Sequence, residues 1–355
     1  MISRNFFLPK SHFDGLPYTA CMKTSFPALF LIAHLLGTLG CSTMTTSSNP
    51  ALPHDTLYDA SVFDAATATA LSIEQLAQQL KDTDVVVVGE YHGHQGAHLL
   101  QSRLQVALHG QRPEQVLTME QFNLDHQADV DRYLRGGTGE TEMIEDTDAW
   151  PNYRASYRPL VEFARQHSIP VVAANAPADV VRCVGRRGAD YLQTLSSEAR
   201  MQLPETPFAD TEGYREKFLE AIGHSHGESS GEMSARMQNT YRAQLLRDNT
   251  MAMRIRQARE QHPGHQVLHV TGTFHSEDRL GTVGLLEAMA PDVSVAVISP
   301  VFRAENGTEP DMKEHGRKGD YLYLIHPLPP EFRDSEREKK AMRARFNRSA
   351  DTECD

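Results

Sequence analysis

Glu90, His92, His94 and His98, with Tyr91 among them, crowd the short stretch VVVVGEYHGHQGAH that begins at Val85. A carboxylate beside imidazoles can move protons as a general acid or base, or it can share a metal ion with them. Neutral imidazole suits zinc, copper, nickel or iron, and haem iron takes His or Tyr as an axial ligand. The spacing Gly89-x-x-His92 recurs as Gly272-x-x-His275, and Glu120 ends another apolar run, QVLTME. His94 and His98 stand four apart, which places them on one face if a helix begins there. The zinc-protease pattern is absent, because Gln95 follows His94 where that motif has glutamate. His224 and His226 lie in a Gly/Ser-rich stretch, readable either as a solvated loop or as a lid that carries ligands. Met233, Met237, Met251 and Met253 form either ordinary core or a soft wall for a flat apolar ligand.

The elements that must position these residues alternate along the chain. Strands are expected at residues 84–90, 115–122, 170–177, 265–275, 293–302 and 321–327, with helical patterns at 157–167 and 178–188. Ser72 to Gln75 reads as a capping box opening a short helix. Valine-rich runs with little alternation are what strands buried on both faces require. The expected fold is therefore α/β, a mainly parallel sheet flanked by helices. Residues 191–262 hold no convincing strand and are expected to form a helical insertion, with an inserted helical lid subdomain over residues 196–231 followed by a long amphipathic helix. Residues 72–330 make up the α/β domain and 331–355 a charged tail. In open α/β sheets ligands bind beyond the carboxyl ends of the strands. Glu90 with His92, Glu120, Asn175 and His275 all fall at such ends, so one shared site is expected there.

The 355-residue chain carries 35 Lys+Arg against 47 Asp+Glu, a net charge of −12. That balance, with no basic stripe, argues against nucleic acid as a partner. Residues 1–40 read as a signal peptide: a basic start at Met22-Lys23, an apolar stretch, then Gly40-Cys41, with 1–21 expected to be an upstream mis-start. Cys41 is then the lipidated residue, anchoring the protein to a lipid membrane, and Ser42 after it suggests outer-membrane sorting in a Gram-negative cell. Residues 41–71 serve as the lipidated tether. Cys183 and Cys354 permit one bridge, which nothing in the sequence requires, and there is no disulfide framework.

Five segments, VVVVGEYHGHQGAH, LTMEQF, VVAANAP, AQLLRDNTMAMRI and HVTGTFH, fall in the order seen in ChaN-type haem-binding lipoproteins, which the chain resembles from about residue 84 to 327. The resemblance implies a Tiki-type α/β fold, haem as cofactor and partner, and a role in iron acquisition at the outer membrane. A homodimer would also be in keeping with it. Two departures stand out: Gly93-His94 replaces the usual Asp-Asn continuation of the first motif, and Phe274 stands where the family usually has glycine. The motifs do not carry over the axial ligand, so Tyr91, His92, His94, His98, His224, His226 and His275 are all candidates. The chain also resembles the wider Tiki and erythromycin-esterase-like superfamily, which includes hydrolases, both proteases and esterases. On that alternative Glu90 or Glu120 is a catalytic general base, and His92 and His275 with these glutamates hold a divalent metal.

Overall fold

The computed structural model describes residues 56–226, 233–304, 311–348 and Cys354. The expected signal peptide, Cys41 and the linker that follows it lie outside the described residues.

Val85 to Val88 have no exposed surface. A strand so buried needs neighbours on both edges and cover on both faces. The strands are β1 (Ser61–Asp64), β2 (Ala70–Leu71), β3 (Val85–Glu90), β4 (Gln115–Asn123), β5 (Val171–Asn175), β6 (Gln266–Gly272), β7 (Val295–Phe302) and β8 (Tyr321–Ile325). They form one sheet in the order β2-β1-β8-β7-β3-β6-β4-β5. From β8 to β5 every pairing is parallel, while β1 pairs antiparallel with β8 and β2. All six expected strands are present. Residues 61–71, assigned from sequence to the tether, instead form the β1–β2 hairpin that covers the edge of β8. These strands are too short to show a periodic signal.

Alternation along the strands divides the core. Val86 and Val88 pack with Leu100, Leu104 and Leu108 of the helix Gln95–Gln111 and with Leu160 and Val161 of the helix Arg158–Gln166. Val85 and Val87 pack on the other face, with Ala252, Ile255 and Ala258 of the helix Ala235–Gln261 and with Val283 and Leu286 of Thr282–Met289. Burying each such valine contributes on the order of 2 kcal/mol. The capping box is present: Ser72 accepts from the Gln75 backbone, and Gln75 returns to the Ser72 N–H.

The long amphipathic helix runs over Ala235–Gln261, 27 residues. Its second half lies against the sheet as the cover between β5 and β6. Met251 is fully buried, and Met233 packs with Tyr214, Phe218, Tyr241 and Leu245, so both belong to core. The tail forms the helix Ser335–Arg348. Cys183 and Cys354 are joined in a disulfide, 171 residues apart in sequence. Among the described residues no helix is long and apolar enough to cross a membrane.

The connection leaving β3 enters the Gln95–Gln111 helix on one face, and that leaving β6 enters Thr282–Met289 on the opposite face. Because β3 and β6 are neighbours, their carboxyl ends open a crevice where the winding changes direction, the place open α/β sheets use for ligands.

Candidate functional site

Both Gly-x-x-His segments border that crevice, and both glycines are required by close approach. A Cβ on Gly89 would lie 2.6 Å from Ser276 Oγ, and one on Gly272 would lie 2.8 Å from His92 Nε2.

Glu90 points to the face covered by the helix Gln95–Gln111 and is almost wholly buried. Its Oε1 accepts from Tyr157 Oη (2.6 Å), His92 Nδ1 (2.8 Å) and Gln121 Nε2 (3.3 Å), and its Oε2 from Gln101 Nε2 (2.6 Å). His98 Nδ1 lies 3.4 Å from the same Oε2. Burial alone raises a carboxyl pKa, but the bonds from His92 and His98 and their charges outweigh it and hold Glu90 down to about 2. Tyr323 Oη donates to the Gly89 carbonyl (2.6 Å), fixing the strand end from the other side.

Glu120 points to the opposite face. It accepts from Thr271 Oγ1 (2.8 Å) and the Gly272 N–H (2.7 Å), and its Oε1 lies 3.6 Å from His275 Nε2. Burial raises its pKa, yet the charges of His275 and His92 with those two bonds carry it below the ordinary value. His275 is buried and bonded through Nδ1 to Asp248 Oδ1 (2.7 Å). Asp248 in turn accepts from Tyr214 Oη (2.5 Å) and Thr282 Oγ1 (2.8 Å). Burial disfavours an imidazolium, but the charges of Asp248 and Glu120 prevail and raise the His275 pKa.

His92 joins the two halves. It is the one exposed ring of the cluster, with 43% of its side chain open, Nδ1 tied to Glu90 and its edge against Trp150 (centroids 4.8 Å). Its Nε2 has no hydrogen-bond partner among the described residues, and it overhangs Gly272 towards Glu120. Burial lowers its pKa, but the Glu90 bond and the Glu120 and Glu90 charges raise it overall.

The other expected ligands are placed differently. His94 and His98 do not share an exposed helix face. His94 is the fully buried N-cap, its Nδ1 accepting from the Ala97 N–H and its Nε2 2.7 Å from the His326 carbonyl. His98 Nε2 lies 3.1 Å from the Gly93 N–H, and its Nδ1 faces Gln101 and Glu90. Tyr91 stacks on Phe302 (4.5 Å), and burial with the Glu277 charge pushes its hydroxyl up to about 12. His224 and His226 end the helix Tyr214–His226, but their side chains lie outside the described residues.

Among the described residues no three His, Cys, Asp or Glu side chains are grouped to hold a metal ion. Glu90 and Glu120 lie under opposite faces, each occupied by N–H and O–H donors. Nor does either have the raised proton affinity that suits a general base near neutral pH.

Asp248, Tyr157, Gln101 and Trp150 do not stand out in the sequence as site residues. Asp248 carries a signal nonetheless: it continues the stripe Tyr241, Leu245, Ala252, Ile255, where an acidic residue on the buried side of a helix needs a partner.

A family model described as haem-binding uptake, Tiki superfamily, ChaN, matches residues 76–286. The chain belongs to this family. Among solved structures, ChaN of Campylobacter jejuni, described for cofacial haem binding, is 16% identical with a TM-score of 0.58, over 76% of this chain and 98% of that one. A Bacillus cereus protein (12% identical, TM-score 0.42, 72% and 92% covered) and a mutant erythromycin esterase, EreC, in its open conformation (10%, 0.41, 79% and 86%) are also similar. No curated protein matches the sequence.

Proposed function

We propose that this ChaN-family chain binds haem at the crevice between β3 and β6, with His92 Nε2 as the donor to iron. The observation that carries the reading is the His92 ring itself, exposed, oriented through Nδ1 by a buried carboxylate and without a protein partner at Nε2 among the described residues. A carboxylate behind a ligating imidazole fixes the tautomer and strengthens the ligand. Haem would supply an iron centre there. The protein's part is to hold the ring, with Trp150 and Gly272 forming the walls beside it. Cofacial haem in the Campylobacter protein supports a pairing of two copies around such an open site.

The finer reading is of an outer-membrane lipoprotein, anchored through Cys41, that takes part in iron acquisition. The Cys183–Cys354 bridge favours an oxidising compartment such as the periplasm. Replacing Cys41 with Ser should release the protein from membranes; equal membrane retention and processing would refute the anchor.

Haem titration of the tagless chain tests the main proposal. A saturable Soret shift with quenching of Trp150, the chain's single tryptophan, is expected. A spectrum no different from free haem would defeat it. Ester or peptide turnover lost in Glu90→Gln, with a bound divalent metal, would favour the hydrolase instead.

A further inference from the structure

The helix Ala235–Gln261 sets Gln244, Arg247 and Met251 three and four residues apart, on one face. Gln244 Nε2 reaches His275 Nε2 (3.2 Å), and Met251 Sδ lies 3.8 Å from Thr271 Oγ1, so this face is turned to the carboxyl end of β6. Arg247 sits between them, half-buried, in the field of Glu120, Asp248 and Arg182. Among the described residues its guanidinium makes no hydrogen bond and no ion pair. Other half-buried arginines of the same helix are tied down: Arg254 to the Ala173 carbonyl and Gln127, Arg259 to Asp84. The carboxylates nearest Arg247 are already taken, Glu120 by Thr271 and Gly272, and Asp248 by His275, Tyr214 and Thr282.

A guanidinium presents five N–H donors in a planar fork that matches a carboxylate with two parallel bonds. Leaving it half out of water without a partner is costly. The crevice otherwise offers an anionic ligand the unfavourable charges of Glu90, Glu120 and Asp248. We propose that Arg247 is the carboxylate-recognition residue of the site, taking one propionate of a porphyrin. The assignment rests on the haem reading for the identity of the ligand, but it does not depend on iron.

Metal-free protoporphyrin IX and its dimethyl ester, followed by porphyrin fluorescence, test it on the full chain and on Arg247→Gln and Arg247→Lys. The diacid should bind the Gln variant about ten- to a hundredfold more weakly, with part of the affinity kept in the Lys variant. The diester should bind wild type weakly and be indifferent to the substitution, which separates recognition from damage to the fold. Because Arg247 holds no protein group among the described residues, the Gln variant should melt within a few degrees of wild type. Equal diacid affinity in wild type and Arg247→Gln would overturn the inference while leaving haem binding intact. Failure of wild type to bind either haem or porphyrin would bring down both.

Discussion

Replacing Glu90 with Gln keeps the shape of the side chain and removes its charge, so it isolates what the buried anion contributes. Glu90 gathers four donors, Tyr157, His92, Gln121 and Gln101, and a glutamine must turn an N–H₂ towards at least one of them. Its carboxyl is held at about 2 against an ordinary 4.5. At about 1.4 kcal/mol per unit, the ion contributes on the order of 3 kcal/mol at neutral pH. The folded-state value is depressed, so this stability is complete above the ordinary value and lost as pH falls towards the folded one. Wild type should therefore exceed Glu90→Gln by roughly 3 kcal/mol at pH 7 and by roughly 1 kcal/mol at pH 3. Urea unfolding of both proteins at a series of pH values measures that gap. A gap that stays constant from pH 7 to 3 would show that Glu90 is not held as a stabilised anion.

Gly272→Ala places a methyl 2.8 Å from His92 Nε2, so haem affinity should fall by about tenfold or more, read by Soret titration, with the circular dichroism preserved. Asp248→Ala strips His275, Tyr214 and Thr282 of a shared acceptor and should destabilise the fold by about 3 kcal/mol in urea, whereas Asp248→Asn should cost less. Peptide mapping of the non-reduced protein should find Cys183 linked to Cys354, and reduction should lower stability by up to about 5 kcal/mol given the length of chain closed. The raised His92 pKa means that a proton competes with iron for Nε2. Haem affinity should therefore fall as pH drops through that raised value, and His92→Ala should abolish this dependence.

The central strand and the pairing of the two Gly-x-x-His segments are legible in the sequence, because a wholly apolar run needs cover on both faces and can turn polar only where it leaves the sheet. Glu120 is legible for the same reason. The roles of His94 and His98 are not, because they come from distant partners: a carbonyl 232 residues away for one, and the strand-end carboxylate for the other. Spacing alone cannot separate a capping or buried imidazole from an exposed ligand. Tyr157 and Trp150 sit in stretches whose helical or loop character conceals that they fold back over Glu90 and His92. The helix Ala235–Gln261 shows its amphipathic pattern but not which element it covers, because the sheet face it packs on is built largely from strands far away in sequence.

Whether His92 Nε2 ligates haem iron is decided by a haem titration of wild type beside His92→Ala at neutral pH. The alanine variant should lose the wild-type Soret position and bind at least about tenfold more weakly, while its fold is kept. The same Soret spectrum and the same affinity in His92→Ala would contradict ligation by this residue.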